Sequence, residues 1–228
     1  MPMVIRAGEV LHPDCFASAC GGWSRNDNHF IQATKTRGNH PASPQVSCRT
    51  EKRYTKPMSA VISRPDIQKL LQREPPLLEG YLDLENQLQP NGIDLTLGEV
   101  ALLQTPGQLA ASNSQRVVSV LAPLVFDGVG FIDLVSGAYL ITFNEIVHLP
   151  DNVMALARPR SSLLRCGVTV DTAVWDAGYS GRSQSLLIVY NPQGFRLQRN
   201  SRIVQLVFFQ LTQATAGYRG IYQNENIA

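Results

Sequence analysis

The sequence predicts a mainly β fold, a compact barrel or sandwich, with one short helix ahead of the strands. Short runs of β-branched, aromatic and aliphatic residues recur from about residue 93 onward, and Gly, Asn, Asp and Pro separate them. A single stretch before these runs has helical spacing instead. The 228 residues are 44% hydrophobic and 17% charged, so the chain has enough apolar material to bury a core.

The predicted helix begins close to residue 63. Ser63 is followed three residues later by Asp66, and Pro65 lies in the first turn. Ile67 and Leu70 then recur at helical spacing. This pattern is typical of the start of a capped amphipathic helix.

Strands account for most of the remaining chain. Residues 161–165, a Ser-Ser-Leu-Leu-Arg run before Gly167, interrupt them, and we expect one short helical turn there. The predicted strands lie at residues 93–97, 117–121, 139–143, 153–157, 186–190 and 202–211.

Residues 1–57 differ from the rest of the chain. They show neither strand alternation nor helical periodicity, and they hold eight Lys and Arg against four Asp and Glu. We expect a disordered extension there, followed by a folded domain at residues 58–228. The alternative is that Met58 is the true initiator and that the preceding residues come from an upstream start.

Charge and hydropathy exclude several classes of partner. The net charge of +2 is too small to indicate nucleic-acid binding on its own. No stretch approaches the roughly 20 consecutive apolar residues that span a bilayer, and the first residues lack the regions of a secretory signal. We therefore expect a soluble, cytoplasmic protein with no nucleic-acid or membrane partner.

Common catalytic motifs are missing from the sequence. It contains no GxxxxGK[ST] phosphate loop, no GxGxxG, no GxSxG and no HExxH. None of the four histidines begins the HxE sequence that zinc nucleobase deaminases use to activate water. These absences exclude deamination by a zinc hydroxide, and we expect no metal site built by the protein alone.

The first polar cluster follows an apolar strand. Arg158, Arg160 and Arg165 surround Ser161 and Ser162. We expect the serines to cap the helical turn, and the exposed N–H groups of the turn and the guanidinium groups suit a phosphate. The alternative is a structural role for arginines at a sheet end with a serine cap.

The second polar cluster occupies residues 172–181. Asp176 lies between an apolar strand end and a turn that two glycines bracket. We expect burial to raise the pKa of Asp176, which would suit it as a general base. Tyr179, three residues on, is placed to stack on a sugar or a base. The alternative is that Asp176 only forms the turn.

Residues 58–228 resemble a known superfamily, that of the trimeric deoxyuridine triphosphatases and the zinc-independent dCTP deaminases. Its archaeal-type dUTP diphosphatases are the most similar. The tail departs from the pattern, because Asn224 stands where a glycine would be typical. The stretches that carry the resemblance are, in order, QPNGIDLTL at 89–97, PRSSL at 159–163, AVWDAGYSG at 173–181, RIVQLVF at 202–208 and GIYQNEN at 220–226.

The resemblance implies a β-clip fold, a distorted barrel, that assembles as a homotrimer with active sites between subunits. It implies the substrate dUTP, which water would convert to dUMP and pyrophosphate. Mg²⁺ would arrive on the triphosphate, so the protein would need no metal site of its own. The residues that would hold the triphosphate are Arg160, Ser161, Ser162, Arg165 and Gln205.

The resemblance also assigns the other end of the substrate. A hairpin at residues 170–175, with Val174 and Trp175, would read the pyrimidine through backbone groups, and Tyr179 would pack on the deoxyribose and exclude a 2′-hydroxyl. Asp176 would activate the attacking water. The remaining assignments are Tyr222 and Gln223 in a tail that closes over the nucleotide, and Asn91, Asp94 and Gly181 in supporting positions.

Two other functions compete with dUTP hydrolysis. The deaminases of this superfamily place a glutamate ten residues beyond the aspartate, where this chain has Leu186, or Ile188 if two residues are inserted. Neither side chain can move a proton, so the sequence favours hydrolysis over dCTP deamination or a bifunctional enzyme. The third hypothesis is a non-catalytic, nucleotide-binding regulator on the same fold.

Overall fold

The computed structural model describes residues 60–227. The predictions for residues 1–57 and for a start at Met58 therefore lie outside the described residues. In the described part of the chain, no helix combines the length and apolar character needed to cross a membrane.

Fourteen strands and three short α-helices make up the described fold. The helices are α1 (Arg64–Leu70), α2 (Leu84–Gln87) and α3 (Ser161–Arg165), and a 3₁₀ turn covers Asn113–Gln115. The strands are β1 (Ala60–Val61), β2 (Leu78–Glu79), β3 (Leu88–Gln89), β4 (Gly92–Leu103), β5 (Leu121–Pro123), β6 (Phe131–Leu134), β7 (Gly137–Phe143), β8 (Ile146–His148), β9 (Val153–Pro159), β10 (Val168–Asp171), β11 (Ser180–Gly181), β12 (Gln184–Val189), β13 (Phe195–Gln198) and β14 (Arg202–Gln210).

One nine-stranded sheet dominates the architecture. Its main path runs β1-β14-β4-β7-β12-β10; β3 and β5 also pair with β4, and β9 pairs with β14. All of these pairings are antiparallel. Two small sheets, β11-β8-β2 and β13-β6, lie beside it. The mainly β fold class that the sequence predicts is confirmed.

The buried core includes side chains from β4, β7, β12 and β14. On β12 the buried residues alternate with half-buried ones, as expected for a strand with one face on the core. The first seven residues of β4 are all buried, so this part of the strand is covered on both faces. Each fully buried large side chain contributes about 1.5–3 kcal/mol to folding. Those side chains include Phe143, Phe208, Ile93, Leu95, Leu97, Ile141, Leu187, Ile203 and Leu206.

A buried carboxylate fastens α2 to the sheet. The Glu145 side chain accepts hydrogen bonds from Gln87 Nε2 at 2.8 Å and from Thr96 Oγ1 at 2.6 Å and Thr96 N at 2.9 Å. Burial raises the pKa of Glu145, although the hydrogen bonds from Thr96 and Gln87 act in the opposite direction. Three donors around one buried acid fix the strand and the helix relative to each other.

Most of the predicted elements are confirmed. Five of the six predicted strands fall within β4, β7, β9, β12 and β14, apart from one or two end residues, and the helical turn at 161–165 is α3. The helix near Ser63 is α1, and Ser63 is its N-cap residue. The hydroxyl of Ser63 makes no cap hydrogen bond, because it donates to Asp66 Oδ2 at 3.0 Å.

The predicted strand at 117–121 is wrong. Only Leu121 belongs to a strand, and Val117 forms a single bridge with Gln108. Val118 and Val120 are exposed, so this segment has the composition of a strand without a sheet partner to pair with. It belongs to the segment between β4 and β5, residues 104–120, which we call the β4–β5 excursion and which borders the pocket described below.

Candidate active site

A buried carboxylate holds two arginines at one end of the sheet. Asp94 Oδ2 lies 3.1 Å from Arg160 Nη1 and 3.4 Å from Arg202 Nη1. The Asp94 side chain is 3% exposed, while that of Arg160 is 31% exposed. Burial raises the pKa of Asp94, and the charges of Arg160 and Arg202 oppose this shift. The carboxylate thus orients a guanidinium group whose other side reaches solvent.

The helical turn α3 carries the two serines differently from the prediction. Arg160, not a serine, occupies the N-cap position, and its side chain makes no cap hydrogen bond. Ser161 and Ser162 are the first residues of the helix itself, and both are exposed. The expectation that a serine caps the turn is therefore wrong. Both hydroxyls and the Arg165 side chain face solvent at this end of β9.

Gln205 belongs to the same row of side chains as the buried carboxylate. It lies directly opposite Asp94 on β4 and Arg158 on β9. Opposite residues of antiparallel strands share a face of the sheet. Asp94, Gln205 and Arg158 therefore form one polar row across three strands.

A glycine allows β4 to approach this row. A Cβ atom at Gly92 would collide with the carbonyl oxygen of Leu206 and would lie 3.0 Å from Gln205 Nε2. Gly92 follows the exposed Asn91 at the turn from β3 into β4. The Asn-Gly pair thus makes the turn and leaves room for the β14 backbone beside it.

A pocket lies at the other polar cluster. Its volume is about 780 Å³. One wall is apolar and includes residues of the β4–β5 excursion, among them Leu109, Val117 and Val118. The other wall contains most of the predicted nucleoside-binding residues and several further polar ones, namely Val174, Trp175, Asp176, Tyr179, Ser183, Gln184, Tyr218, Tyr222 and Glu225.

Trp175 contributes a fixed indole ring to this pocket. Its backbone N–H donates to the Ala155 carbonyl at 3.1 Å, and its own carbonyl accepts from Ala155 N at 2.9 Å. The indole Nε1 donates to Ser183 Oγ at 2.9 Å. The backbone N–H and carbonyl of Trp175 are thus already paired with β9, and the predicted contact of its main chain to a pyrimidine stays a prediction. Val174, which is half exposed, comes directly before it.

Asp176 lines the pocket with an exposed carboxylate. The expectation that this carboxylate is buried is wrong, because the turn after Trp175 carries the side chain out of the core. Its carbonyl accepts a hydrogen bond from Tyr179 N at 3.1 Å, which closes the turn. The residue therefore both forms the turn and presents its carboxylate to the pocket.

The tail of the described chain docks beside this turn. Gln223 accepts from Ser180 N at 3.2 Å and donates to the Gly178 carbonyl at 3.1 Å. Asn224 has φ 62, in the left-handed region, which Asn adopts more readily than most residues. This conformation explains why Asn serves where a glycine would be typical. Tyr222, beside Gln223, borders the pocket.

Tyr179 is buried, and its hydroxyl is engaged by the tail. The hydroxyl donates to Glu225 Oε1 at 2.8 Å. The ring of Tyr218 meets the Tyr179 ring edge-on, with centroids 5.8 Å apart. Burial, first, and the neighbouring Glu225 raise the pKa of the Tyr179 hydroxyl, and burial raises the pKa of Glu225.

The structure brings the predicted site residues together as two groups rather than one. Asp176, Tyr179, Trp175, Val174 and Tyr222 line the pocket, and Gln223 fastens the tail there. The predicted phosphate ligands on α3 and β14 do not line it, and none of its described lining residues is Lys or Arg. Gly181, which was predicted to have a supporting role, packs against both Tyr179 and Glu225.

Sequence reasoning missed several pocket residues. Glu225 lies within the recognised tail motif and Tyr218 just before it, but no spacing rule connects them to Tyr179, which is more than 35 residues earlier. The polar run at residues 182–185, which includes Ser183 and Gln184, was visible in the sequence beside the predicted pyrimidine hairpin, where it could change base selectivity. Both residues line the pocket.

Comparison with known proteins identifies the class of this protein. A family model described as dCTP deaminase-like matches residues 61–211, and the chain belongs to that family. The resemblance inferred from the motifs is confirmed.

Individual relatives narrow the comparison. The chain is 52% identical over 168 residues to a protein of Methanosarcina mazei named probable deoxyuridine 5′-triphosphate nucleotidohydrolase, covering 73% of this chain and 98% of that protein. It is 48% identical over 168 residues to a protein of the same name from Archaeoglobus fulgidus, covering 74% of this chain and 98% of that one.

A solved structure supports the fold. The crystal structure of 2′-deoxycytidine 5′-triphosphate deaminase from Agrobacterium tumefaciens matches with a TM-score of 0.50 at 22% identity. The match covers 67% of this chain and 49% of that one, so this chain spans about half its length. At this identity the likeness concerns the fold alone.

Proposed function

We propose that this protein hydrolyses dUTP to dUMP and pyrophosphate. The observation that carries the proposal is one pocket in which Asp176 lies with Trp175 and Tyr179, as the motifs predict. Strand β12, whose residue Gln184 lines this pocket, carries no carboxylate that could serve deamination. Relatives with 52% and 48% sequence identity, named probable deoxyuridine 5′-triphosphate nucleotidohydrolase, support the same substrate.

The pocket suits the nucleoside end of the substrate. A volume of about 780 Å³ is in the usual range for small-molecule sites. The apolar wall of Leu109, Val117 and Val118 and the ring of Trp175 would cover the flat pyrimidine, and Tyr179 would pack on the sugar. Val174, at the rim, would offer main-chain groups to the pyrimidine edge.

The triphosphate would need cations that the pocket lacks. Arg160 and Arg165, with the hydroxyls of Ser161 and Ser162 and the amide of Gln205, form a donor set suited to phosphate. Since these donors do not line the pocket of the same chain, we propose that they reach it from a neighbouring copy. A homotrimer with active sites between subunits meets this requirement.

Asp176 would act as the general base. An exposed carboxylate in the pocket wall can accept a proton from water while that water attacks the α-phosphorus. The new bond joins the water oxygen to phosphorus, the bridge to the β-phosphate breaks, and pyrophosphate leaves with the electron pair. Docking of Tyr222 and Gln223 would exclude bulk water during this step.

The residues present fit a Mg²⁺ ion that arrives with the substrate. Mg²⁺ commonly binds through one or two carboxylates and the substrate phosphates. The substrate phosphates would hold the ion, which leaves the Asp176 carboxylate free to accept a proton; residues 60–227 contain no cluster of three or more acidic, His or Cys side chains suited to hold an ion alone. Such an ion would neutralise phosphate charge when bound.

Deamination of dCTP is the second candidate, since the family is described as dCTP deaminase-like. It would require an acid beside the pyrimidine ring. Leu186 and Ile188 occupy the corresponding positions of β12. Glu225, the other carboxylate of the pocket, is bonded to Tyr179 at the sugar end. A non-catalytic regulator would have no use for a carboxylate at Asp176.

An Asp176→Asn variant tests the assigned role. We expect kcat for dUTP to fall by about 10²–10⁴-fold, the usual contribution of a general base, while dUTP binding measured by calorimetry remains. Asp133→Asn, at an exposed aspartate on β6, is the matched control and should leave both unchanged. A variant with unchanged kcat, or a folded variant that loses binding as well, contradicts the role.

A further inference from the structure

Within the described tail, the residue that accepts a hydrogen bond from the Tyr179 hydroxyl is Glu225. We propose that Glu225 is a positioning residue that fixes Tyr179 and thereby sets the preference of the pocket for deoxyribose over ribose. The inference rests on the proposed function, since it concerns the sugar of the same substrate. It assigns a role in specificity to a residue that touches the tyrosine rather than the reacting atoms.

The backbone of the tail places Glu225 at this point. Arg182 N donates to the Glu225 carbonyl at 2.9 Å, and Asn224 N donates to the Ser180 carbonyl at 2.8 Å. Gly181 and Glu225 form a parallel bridge. One main-chain hydrogen bond on each side therefore holds the Glu225 Cα beside β11, and its side chain needs no further anchor to reach Tyr179.

The space around the contact is tight. A Cβ atom at Gly181 would lie 2.5 Å from the Tyr179 hydroxyl oxygen and 3.2 Å from Glu225 Cγ. The backbone of β11 thus packs directly against both partners. Neither side chain can swing toward β11, which restricts how the 2.8 Å hydrogen bond can rearrange.

The Tyr179 ring is restrained from two sides. Glu225 accepts the hydroxyl proton, and the Tyr218 ring abuts the Tyr179 ring edge-on at 5.8 Å and 68°. Tyr179 is only 6% exposed, yet it borders the pocket. The part of Tyr179 that a ligand meets is therefore the ring, with its single hydroxyl proton directed at Glu225.

This arrangement gives a physical reason for discrimination against ribose. A 2′-hydroxyl placed against the ring finds no donor in Tyr179, because the proton already points to a carboxylate. The Tyr179 oxygen can still accept a hydrogen bond from that hydroxyl, but the lone pairs of a buried hydroxyl that lack a donor cost free energy on binding. Removal of the Glu225 carboxylate would release the Tyr179 hydroxyl to pair with a 2′-hydroxyl, and discrimination would fall.

The test compares dUTP and UTP on the full chain. Glu225→Ala should raise KM for dUTP more than it lowers kcat, and should reduce the ratio of kcat/KM for dUTP over UTP by about tenfold, typical of one hydrogen bond to a charged group. Glu225→Gln retains an oxygen acceptor and should restore the ratio to within about threefold of the unmodified protein.

A double-mutant cycle separates positioning from general damage. In a Tyr179→Phe background, Glu225→Ala should have no further effect on the ratio, because the hydrogen bond is already lost. Asn226→Gly is the matched tail control. It removes a side chain that bonds the Arg182 carbonyl, at a residue with φ 53 that glycine tolerates, and it leaves the Tyr179 contact in place.

The outcomes distinguish this inference from the proposed function. If the unmodified chain hydrolyses dUTP but Glu225→Ala leaves the ratio unchanged, or lowers it equally in the Tyr179→Phe background, the inference is overturned and the function stands. If the unmodified chain does not hydrolyse dUTP, the function fails. The same variants are then compared by calorimetry with dUMP and UMP, where a binding ratio that Glu225→Ala leaves unchanged overturns the inference.

Discussion

Arg160 Nη1 lies 3.1 Å from Asp94 Oδ2, and this ion pair joins the residue before α3 to the start of β4. The acid is almost fully buried and the guanidinium group is partly exposed. An ion pair with this asymmetry fixes the direction in which the arginine presents its remaining N–H donors. The predicted triphosphate ligand is thus oriented from inside the fold.

Replacement of Asp94 should weaken both the fold and substrate binding. In Asp94→Asn the charges of Arg160 and Arg202 lose their shared carboxylate. We expect the free energy of unfolding to fall by about 1–3 kcal/mol, the cost of a lost hydrogen bond to a charged group, and KM for dUTP to rise. Urea denaturation and steady-state kinetics measure the two effects.

The control for this variant is an exposed ion pair. Asp66 lies 2.7 Å from Lys69, and both side chains are largely exposed. Asp66→Asn should change neither stability nor KM noticeably, since exposed pairs contribute little. Equal effects of the two substitutions would contradict a special role for the buried carboxylate.

Gly92 should be intolerant of a methyl group. In Gly92→Ala the added Cβ meets the main-chain carbonyl of Leu206, which cannot move without shifting β14. We expect a loss of about 1–3 kcal/mol from overpacking, measured by urea denaturation. At Gly128 an added Cβ meets nothing within 4 Å, so Gly128→Ala is the matched control. Similar losses at both glycines would show that the close approach at β14 has no energetic weight.

The raised pKa of Glu145 should make the free energy of unfolding depend on pH. Its pKa is raised in the fold, so the folded protein holds this proton more tightly than the unfolded chain. Its contribution to stability is therefore fully present below its ordinary pKa of 4.5 and is lost as the pH rises through the folded pKa. Glu145→Gln cannot titrate, so the stability advantage of the unmodified protein over this variant should shrink as the pH rises above 4.5.

Denaturation at a series of pH values measures this difference. Asp66→Asn serves again as the control, because the pKa of Asp66 is lowered by its hydrogen bonds with Lys69 and Ser63. Its stability effect should therefore change only below pH 3.8. A gap between the unmodified protein and Glu145→Gln that stays constant from pH 4 to pH 8 would be inconsistent with burial raising the Glu145 pKa.

The sequence predicted those parts of the fold that local pattern determines. The apolar run of β14 and the Ser-Ser-Leu-Leu-Arg turn were recognised because their composition and their partners agree. The strand prediction for residues 117–121 was wrong because β propensity cannot reveal whether a pairing strand exists. The two-residue strands β2 and β11 are too short to show a period in the sequence.

The site was predictable only where motifs carry it. Asp176, Tyr179 and Trp175 were found together because they are close in sequence, and they share one pocket. Glu225 and the tight contact at Gly181 depend on how the tail folds back, which no local pattern encodes. The N-cap position of Arg160 was missed because its side chain is drawn to Asp94 on a distant strand.

The most direct test of the central claim is the product formed from each deoxynucleotide. The purified full chain would be incubated with Mg²⁺ and either dUTP or dCTP, and the nucleotides separated by chromatography. We expect dUTP to become dUMP and dCTP to remain intact, because neither Leu186 nor Ile188 on β12 can transfer a proton. Conversion of dCTP to dUTP or dUMP, or no turnover of dUTP, would contradict the account.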